Sequence, residues 1–217
     1  MSIAENIAKI RGEIEAACET VGRDPSDVTL IAVSKTFPIE AIREAYEAGQ
    51  RHFGESRLQE AQPKIEALPV DAVWHFVGHL QSNKAKRVAQ LCEYLHTLES
   101  ESQLKEIAKA ARQVRGFIEV NIADEPQKTG ISPQFLDGLA KTVLNYPQVQ
   151  LTGLMTVGPA VDNPEESRKF FRALRELAET VGLSRLSMGM SHDFDVAIQE
   201  GATHVRVGTA IFGSRTV

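Results

Sequence analysis

Lys35 is the residue whose position in the sequence most favours covalent chemistry. It closes an apolar, β-branched run over residues 28–35, which predicts a strand buried on both faces. At the carboxyl end of such a strand a lysine would lie at the mouth of an α/β sheet, where burial favours the neutral amine. A neutral amine can attack an aldehyde and form a Schiff base. The alternative is an ordinary strand-end lysine whose ammonium lies in water.

Two segments rich in glycine and hydroxyl groups, residues 187–191 and 208–213, follow the seventh and eighth predicted strands. Each is predicted to lead into a helix N-terminus, where backbone N–H groups and the helix dipole attract an anion. Gly208 would let the backbone approach phosphate oxygens closely. Separately, Ser191 could be only an N-cap and Gly208 only a turn; together the segments favour a phosphate site. The hydroxyl groups available belong to Ser187, Ser191 and Thr209.

Arg206, at the end of the eighth predicted strand, would face the same ligand with a permanent hydrogen-bond donor. Its alternative role is that of a counter-charge or a surface ion pair. In a closed eight-stranded barrel the first and eighth strands are neighbours, roughly 5 Å apart. Lys35 would therefore lie one or two strands from the anion site. This spacing suits a small phosphorylated aldehyde, with its phosphate in the glycine segments and its carbonyl carbon at the lysine.

Strand and helix patterns alternate along the chain after an amphipathic helix over residues 3–21, with Ser2 as its cap. This alternation predicts parallel strands joined by helical crossovers, and eight units without a linker predict one closed (β/α)8, TIM-like barrel over residues 1–217. An open doubly wound sheet is the alternative. Strands are predicted at 28–35, 51–54, 72–78, 94–98, 116–121, 149–157, 185–187 and 203–207.

Helices are predicted between these strands, and two of them carry specific expectations. Pro63 should kink or split the helix over residues 56–68, and Ser191 should cap the helix over residues 192–200. The remaining helices are predicted at 38–48, 82–92, 101–114, 133–144, 164–181 and, as a final turn, 209–212.

Composition points to a cytoplasmic globular protein. A formal net charge of -5 argues against a nucleic-acid partner, and no apolar run is long enough to cross a membrane. The N-terminus is amphipathic and carries acidic residues, unlike a targeting peptide. Cys18 and Cys92 are expected to be reduced, buried or half-buried thiols. No cluster of metal-ligand type is apparent, so no metal site is predicted.

Several stretches together resemble the pyridoxal-phosphate homeostasis proteins, and the resemblance runs nearly end to end. They lie at residues 32–35, 53–55, 74–84, 153–156, 186–191 and 206–213. The family is similar to the barrel domain of alanine racemase and of ornithine decarboxylase, a barrel of the fold type III class. The resemblance implies pyridoxal 5′-phosphate (PLP) held as an internal aldimine on Lys35. Arg206 would lie near the pyridine nitrogen and weaken the ring as an electron sink.

The resemblance also implies the remaining cofactor-binding residues. Phosphate would be bound by Ser187, Ser191, Gly208 and Thr209, and Met188 and Gly189 are also expected to bind the cofactor. Ser56 stands where many members have an asparagine near the ring hydroxyl, so that contact would be lost or bridged by water. From their positions within and just after the third predicted strand, His75 and His79 are candidate acid–base groups, and His79 is also expected to bind the cofactor. Met155 would pack on the ring, although a methionine at a strand end is more often part of the core.

Three functions are consistent with these residues. The first is a PLP-binding protein of intracellular PLP and amino- and keto-acid homeostasis, with little or no turnover and no catalytic residue. The second is a racemase-like PLP enzyme, which would need an opposing tyrosine; Tyr46, Tyr94 and Tyr146 are predicted far from the barrel mouth, and the sequence stops at Val217, directly after the last barrel element. The third is a Schiff-base aldolase without PLP. Expected partners are PLP-dependent apoenzymes, and the expected state is a monomer or weak dimer.

Overall fold

Eight parallel strands close into one barrel in the computed structural model, which describes residues 1–213. Each strand pairs with its neighbour in sequence, and β8 pairs with β1 through Ala32 and Val207, so the open-sheet alternative is wrong. The strands are β1 (Thr29–Val33), β2 (His52–Glu55), β3 (Val73–Phe76), β4 (Tyr94–Leu98), β5 (Val114–Glu119), β6 (Val149–Met155), β7 (Arg185–Met190) and β8 (His204–Val207).

Helices surround the barrel, as the alternating pattern predicts. They are α1 (Ile3–Glu19), α2 (Ile39–Glu47), α3 (Leu58–Ala67), α4 (Ser82–Leu91), α5 (Glu101–Ile107), α6 (Leu136–Val143), α7 (Arg168–Thr180), α8 (Phe194–Gln199) and α9 (Thr209–Phe212). The barrel prediction is confirmed. That one domain extends to residue 217 stays a prediction, because residues 214–217 lie outside the described range.

The N-terminal helix begins with the predicted cap and packs against the barrel's closing elements. Ser2 and Glu5 form a reciprocal capping box, which satisfies backbone donors of the first turn. Buried isoleucines at helical spacing place one face of α1 against α2, α8 and α9. The amide of Asn6 donates to the carbonyl of Ile211 over 2.8 Å. This contact ties the start of the chain to the segment that follows β8.

Several predicted boundaries around the barrel mouth are wrong. β1 ends at Val33, so Lys35 lies in a turn two residues beyond the strand. β7 continues to Met190, because Ser187 and Met188 are fully buried on alternate sides of a strand covered on both faces. The small polar residues of this segment are typical of a loop, which is why the sequence predicts an earlier end of the strand.

The helices show three further differences. α8 begins at Phe194 with Asp193 as its N-cap, so Ser191 does not cap it. Pro63 lies on the exposed side of α3, which stays one continuous helix. α5 ends at Ile107 and is followed by a short 3-10 turn.

Large aliphatic and aromatic side chains fill the space between strands and helices. Cys18 and Cys92 belong to this core as free, buried thiols, as predicted. Burial raises the pKa of the Cys92 thiol to about 12, so this thiol stays protonated and unreactive. Within the described residues, no helix is both long and apolar enough to cross a membrane.

Candidate functional site

A cavity of about 330 Å³ opens at the carboxyl ends of the strands, where barrel active sites lie. It brings the predicted lysine together with the predicted arginine and the segment after β8, although the lysine lies far from both in sequence. Its volume is within the range of small-ligand sites. The lining consists of Val33, Lys35, Phe37, Val77, Val157, Met190, Ser191, His192, Arg206, Gly208 and Thr209.

The turn that carries Lys35 is held on both sides by α3. On one side, Lys64 donates to the carbonyl oxygen of Ser34 over 2.8 Å. On the other side, the backbone N–H of Thr36 donates to Glu60 Oε2 over 2.8 Å. Thr36 has φ +71°, a left-handed conformation that is unusual for a β-branched residue. The backbone around Lys35 is therefore fixed by its neighbours in a strained turn.

A buried ion pair supports this turn from below. Lys64 contacts Glu55 Oε1 over 2.6 Å, and the hydroxyl of Ser34 donates to the same oxygen over 2.7 Å. Glu55 is fully buried, and the side chain of Lys64 is only 7% exposed. Burial raises the pKa of the Glu55 carboxyl, while the hydrogen bonds from Lys64 and Ser34 oppose the rise. The charges of this pair are compensated inside the protein and not by water.

The segment after β8 presents backbone donors at the edge of the cavity. The N–H groups of Gly208 and Ala210 both point at Ser191 Oγ, at 3.2 and 3.4 Å. Two donors thus converge on one oxygen atom, an arrangement that also suits a phosphate oxygen. A Cβ atom at Gly208 would lie 3.2 Å from the carbonyl oxygen of Val33. The glycine therefore also permits the close approach of β8 to β1.

Arg206 lies deep in the cavity, only 6% exposed. Its guanidinium donates to Ser187 Oγ over 2.7 Å and to the carbonyl oxygen of Thr156 over 2.8 Å. Burial lowers the pKa of Arg206 to about 10, so it is a cation at neutral pH. Within residues 1–213 no carboxylate forms an ion pair with Arg206; both of these acceptors are neutral. Glu119 and Asp193 act on this guanidinium only through their charge, so its donors and part of its positive charge face the cavity.

Three predicted residues of β7 lie behind the cavity wall. Ser187 is fully buried and bonds Arg206, and Met188 is part of the hydrophobic core. Gly189 has φ +88°, and a Cβ atom there would lie 2.5 Å from the Cβ of Ala197 in α8. These three residues shape the site through what they pack against, whereas Ser191 lines the cavity.

Three further predicted residues lie near the mouth without lining the cavity. Met155 is 1% exposed, as a methionine of the core would be. Ser56 is half-buried, and a side chain at Gly78 would collide with its carbonyl oxygen, at 2.2 Å. His79 is exposed, with Nδ1 3.3 Å from a carboxylate oxygen of Glu99.

A set of histidines meets inside the barrel, where the sequence had indicated His75 only as a candidate acid–base group. His52 bonds His75 over 2.9 Å, His75 bonds His96 over 2.9 Å, and His96 bonds Ser187 over 2.8 Å. The sequence did contain a signal for such contacts: these histidines and His204 lie on apolar strands, where a buried polar residue must find a hydrogen-bond partner. Only the barrel closure shows that they meet.

The three tyrosines, all within the described residues, lie away from the cavity. Tyr46 of α2 bonds Asp71, Tyr146 bonds Glu101, and Tyr94 stacks on His75 in the barrel interior. A second cavity, of about 380 Å³, opens at the amino ends of the strands and includes His52. It lies at the face opposite to the one where barrel enzymes place their chemistry.

The closed barrel, the turn that carries Lys35 and the glycine segment after β8 together define the class of protein to which this chain is similar. The family model described as "Alanine racemase, N-terminal domain" matches residues 3–216. The pyridoxal phosphate homeostasis protein of Aquifex aeolicus is 43% identical, and the match covers 99% of each chain. The protein of the same name from Escherichia coli K12 is 42% identical over 98% of this chain and 97% of its own.

A solved structure of a PLP-binding protein is also similar to this chain over nearly its whole length. PipY of Synechococcus elongatus, with PLP bound, is 36% identical and has a TM-score of 0.84. The match covers 98% of this chain and 100% of the PipY chain. The chain belongs to the pyridoxal phosphate homeostasis protein family, within the alanine racemase N-terminal domain family.

Proposed function

We propose that this protein binds PLP in the cavity at the carboxyl ends of the strands and acts in PLP homeostasis. The observation that carries the proposal is the meeting of Lys35, Arg206 and the convergent donors at Ser191 in one cavity of about 330 Å³. The names of its relatives and the PLP in PipY support the same ligand. Bound PLP supplies an aldehyde that reacts reversibly with amines.

The residues of the cavity fit such a ligand in three ways. Lys35 provides the amine that would hold the aldehyde carbon covalently. Ser191, Gly208 and Thr209 surround the place for the phosphate, which matches the two N–H groups that already converge on an oxygen atom there. Arg206 would lie beside the ring nitrogen and donate a hydrogen bond to it, which keeps that nitrogen unprotonated.

The six other predicted cofactor residues do not line the cavity and are proposed to act on it indirectly. Ser187 would act through Arg206, and Met188 and Gly189 through the packing of β7 against α8. Met155 would support the same wall from the core. Ser56 and His79 would act only through the loops at the mouth, because neither lines the cavity.

We further propose that the protein holds and delivers PLP with little or no turnover, in a single domain that functions as a monomer or weak dimer. A guanidinium beside the ring nitrogen makes PLP a weak electron sink, which disfavours removal of the α-proton of an amino acid. The tyrosines lie away from the cavity, so none of them is placed to act as the opposing acid–base group of a racemase. The proposed recipients are PLP-dependent apoenzymes of the cytoplasm.

Borohydride reduction of the protein loaded with PLP, followed by peptide mapping, tests the anchor. We expect the reduced adduct on Lys35, and its loss in Lys35→Ala with the fold intact, because the side chain projects from a surface turn and not from the packed core. Lys86→Ala, an exposed change in α4, is the matched control and should keep the adduct. An adduct found mainly on Lys84 or Lys128 would contradict the assignment.

A further inference from the structure

A continuous chain of hydrogen bonds crosses the barrel interior and connects the two cavities. It starts at Arg206, in the lining of the carboxyl-end cavity, and it ends at His52, in the lining of the amino-end cavity. The successive links are Arg206 Nη1 to Ser187 Oγ (2.7 Å), Ser187 Oγ to His96 Nδ1 (2.8 Å), His96 Nε2 to His75 Nδ1 (2.9 Å) and His75 Nε2 to His52 Nδ1 (2.9 Å). We refer to these five residues as the histidine chain.

Arg206 fixes the direction of every link. A guanidinium has N–H donors and no acceptor, so Ser187 Oγ must accept from it. Ser187 is fully buried, and its oxygen has one other contact among the described residues, His96 Nδ1. The hydroxyl hydrogen therefore has an acceptor only if this nitrogen is unprotonated. A neutral His96 consequently carries its hydrogen on Nε2 and donates to His75. The same reasoning places the hydrogen of His75, and then that of His52, on Nε2.

The surroundings keep the imidazoles neutral, as this direction requires. His75 and His96 are fully buried. His96 is enclosed by the rings of His75, Phe117 and His204, and among residues 1–213 no carboxylate bonds it. Burial, together with neighbouring histidines, lowers the pKa of His75 and His96 well below the usual range, and for His96 the cation of Arg206 adds to the effect. Both shifts favour a neutral imidazole beside the cation of Arg206.

We propose that the histidine chain is a positioning device for Arg206: the guanidinium sets the Nε2–H tautomer of His96, His75 and His52, and the neutral, oriented chain holds the guanidinium at the cavity without cancelling its charge. A carboxylate in place of Ser187 would hold the arginine equally well but would neutralise it. The chain cannot deliver protons to the site, because Arg206, its member at the cavity, has donors and no acceptor. Only the statement that Arg206 meets PLP rests on the proposed function.

Nitrogen-15 NMR of the apoprotein, with labelled histidine, tests the direction near neutral pH. We expect His52, His75 and His96 to be neutral Nε2–H tautomers in the wild type. Arg206→Lys keeps a donor and should keep this pattern, whereas Arg206→Met removes the donor and should give mixed tautomers at His96. His204, whose Nδ1 bonds Thr203 outside the chain, is the internal control. An Nδ1–H tautomer or a cation at any of the three in the wild type would overturn the proposal, even if Arg206→Met fails to fold.

A pair of substitutions at His96 tests whether the histidine chain positions Arg206. In His96→Asn the amide oxygen can replace Nδ1 as the acceptor for Ser187, while in His96→Gln the amide nitrogen can replace Nε2 as the donor to His75. We expect His96→Asn to keep the PLP affinity close to that of the wild type and His96→Gln to lose about tenfold. Equal losses would show that His96 only fills space. Wild-type protein that fails to bind PLP would refute the proposed function but leave the tautomer pattern standing.

Discussion

Lys64 donates a hydrogen bond to the carbonyl oxygen of Ser34 over 2.8 Å, one residue before Lys35. The lysine that would carry the cofactor is therefore positioned by a second, buried lysine. Glu55 compensates the charge of Lys64, and Glu60 holds the N–H of Thr36 on the other side of the turn. Since α3 supplies both contacts, any shift of this helix would move Lys35 relative to the cavity.

Removing Lys64 should destabilise the protein and loosen this turn. We expect Lys64→Met to lower the free energy of unfolding by about 3–5 kcal/mol, because Glu55 is left as an unpaired buried charge. Chemical denaturation measures the loss. The double variant Glu55→Gln/Lys64→Met removes both charges and should recover much of the stability. If the double variant is no more stable than Lys64→Met, the loss comes from packing and not from the unpaired carboxylate.

The donors at Ser191 should distinguish phosphorylated from unphosphorylated ligands. Ser191→Ala removes the oxygen on which the N–H groups of Gly208 and Ala210 converge. We expect it to lower the affinity for PLP by about tenfold or more while leaving the affinity for pyridoxal nearly unchanged. Fluorescence titration with both ligands measures this. A parallel change for both ligands would mean that Ser191 shapes the cavity without contacting phosphate. Gly208→Val is a poorer test, because its side chain would press on Val33.

Stability should fall in mild acid because of the buried histidines. Burial lowers the pKa of His204 to about 3, and the pKa of His75 and His96 falls in the same direction. The unfolded chain then binds more protons than the native one below the ordinary histidine pKa of 6.5, so stability is fully present above that pH and is lost as the pH falls. The loss should be roughly 1.5 kcal/mol per histidine between about pH 6.5 and pH 5.

Denaturation curves of the wild type and of His204→Gln across this pH range check the prediction. The variant has one titrating group fewer, so its stability should fall less steeply. Burial raises the pKa of Glu55 and Glu119, and these carboxyls oppose the loss, since they favour the native state as the pH falls. Glu55 and Glu119 are present in the wild type and in His204→Gln, so the difference between the two slopes reports the titration of His204 alone. Identical slopes would show that His204 is already charged in the native state or titrates normally.

The fold could be predicted from sequence because each strand-helix unit carries its own signal. Apolar β-branched runs and caps such as Ser2 are local features, and the eightfold alternation leaves few topologies. The end of β7 could not be predicted in this way. Its small polar residues are typical of a loop, and they form a strand only because Ser187 finds partners inside the barrel and Gly189 allows α8 to approach.

The cavity could be predicted in outline for a similar reason. Closure brings the ends of β1 and β8 together, so the meeting of Lys35, Arg206 and Thr209 follows from topology alone. The contacts of Lys64 and of His96 do not follow from topology. They depend on which side chains of non-adjacent elements face each other, and register across a closed barrel is set by packing that no local pattern records.

Gly189 should be required for packing more than for ligand binding. A Cβ atom there would lie 2.5 Å from that of Ala197 and 3.0 Å from the Cα of Phe194, at a φ of +88°. We expect Gly189→Ala to cost about 1–3 kcal/mol of stability. Gly12→Ala, in the middle of α1 with nothing within 4 Å, is the matched control and should stabilise by roughly 0.5–1 kcal/mol. Thermal unfolding of both variants measures these changes. A Gly189→Ala variant as stable as the wild type would show that an added Cβ atom causes no strain there.

Bound PLP should exchange readily with amines while the protein catalyses almost no removal of α-protons. The physical reason is Arg206, a buried cation whose acceptors within the protein are neutral, so that beside the ring nitrogen it can only donate a hydrogen bond. The test follows deuterium incorporation at Cα of alanine in D2O by NMR, with the wild type and Arg206→Met side by side. We expect no exchange above background in the wild type. Exchange on the order of 1 per second or faster would make the protein a PLP enzyme and refute the carrier role.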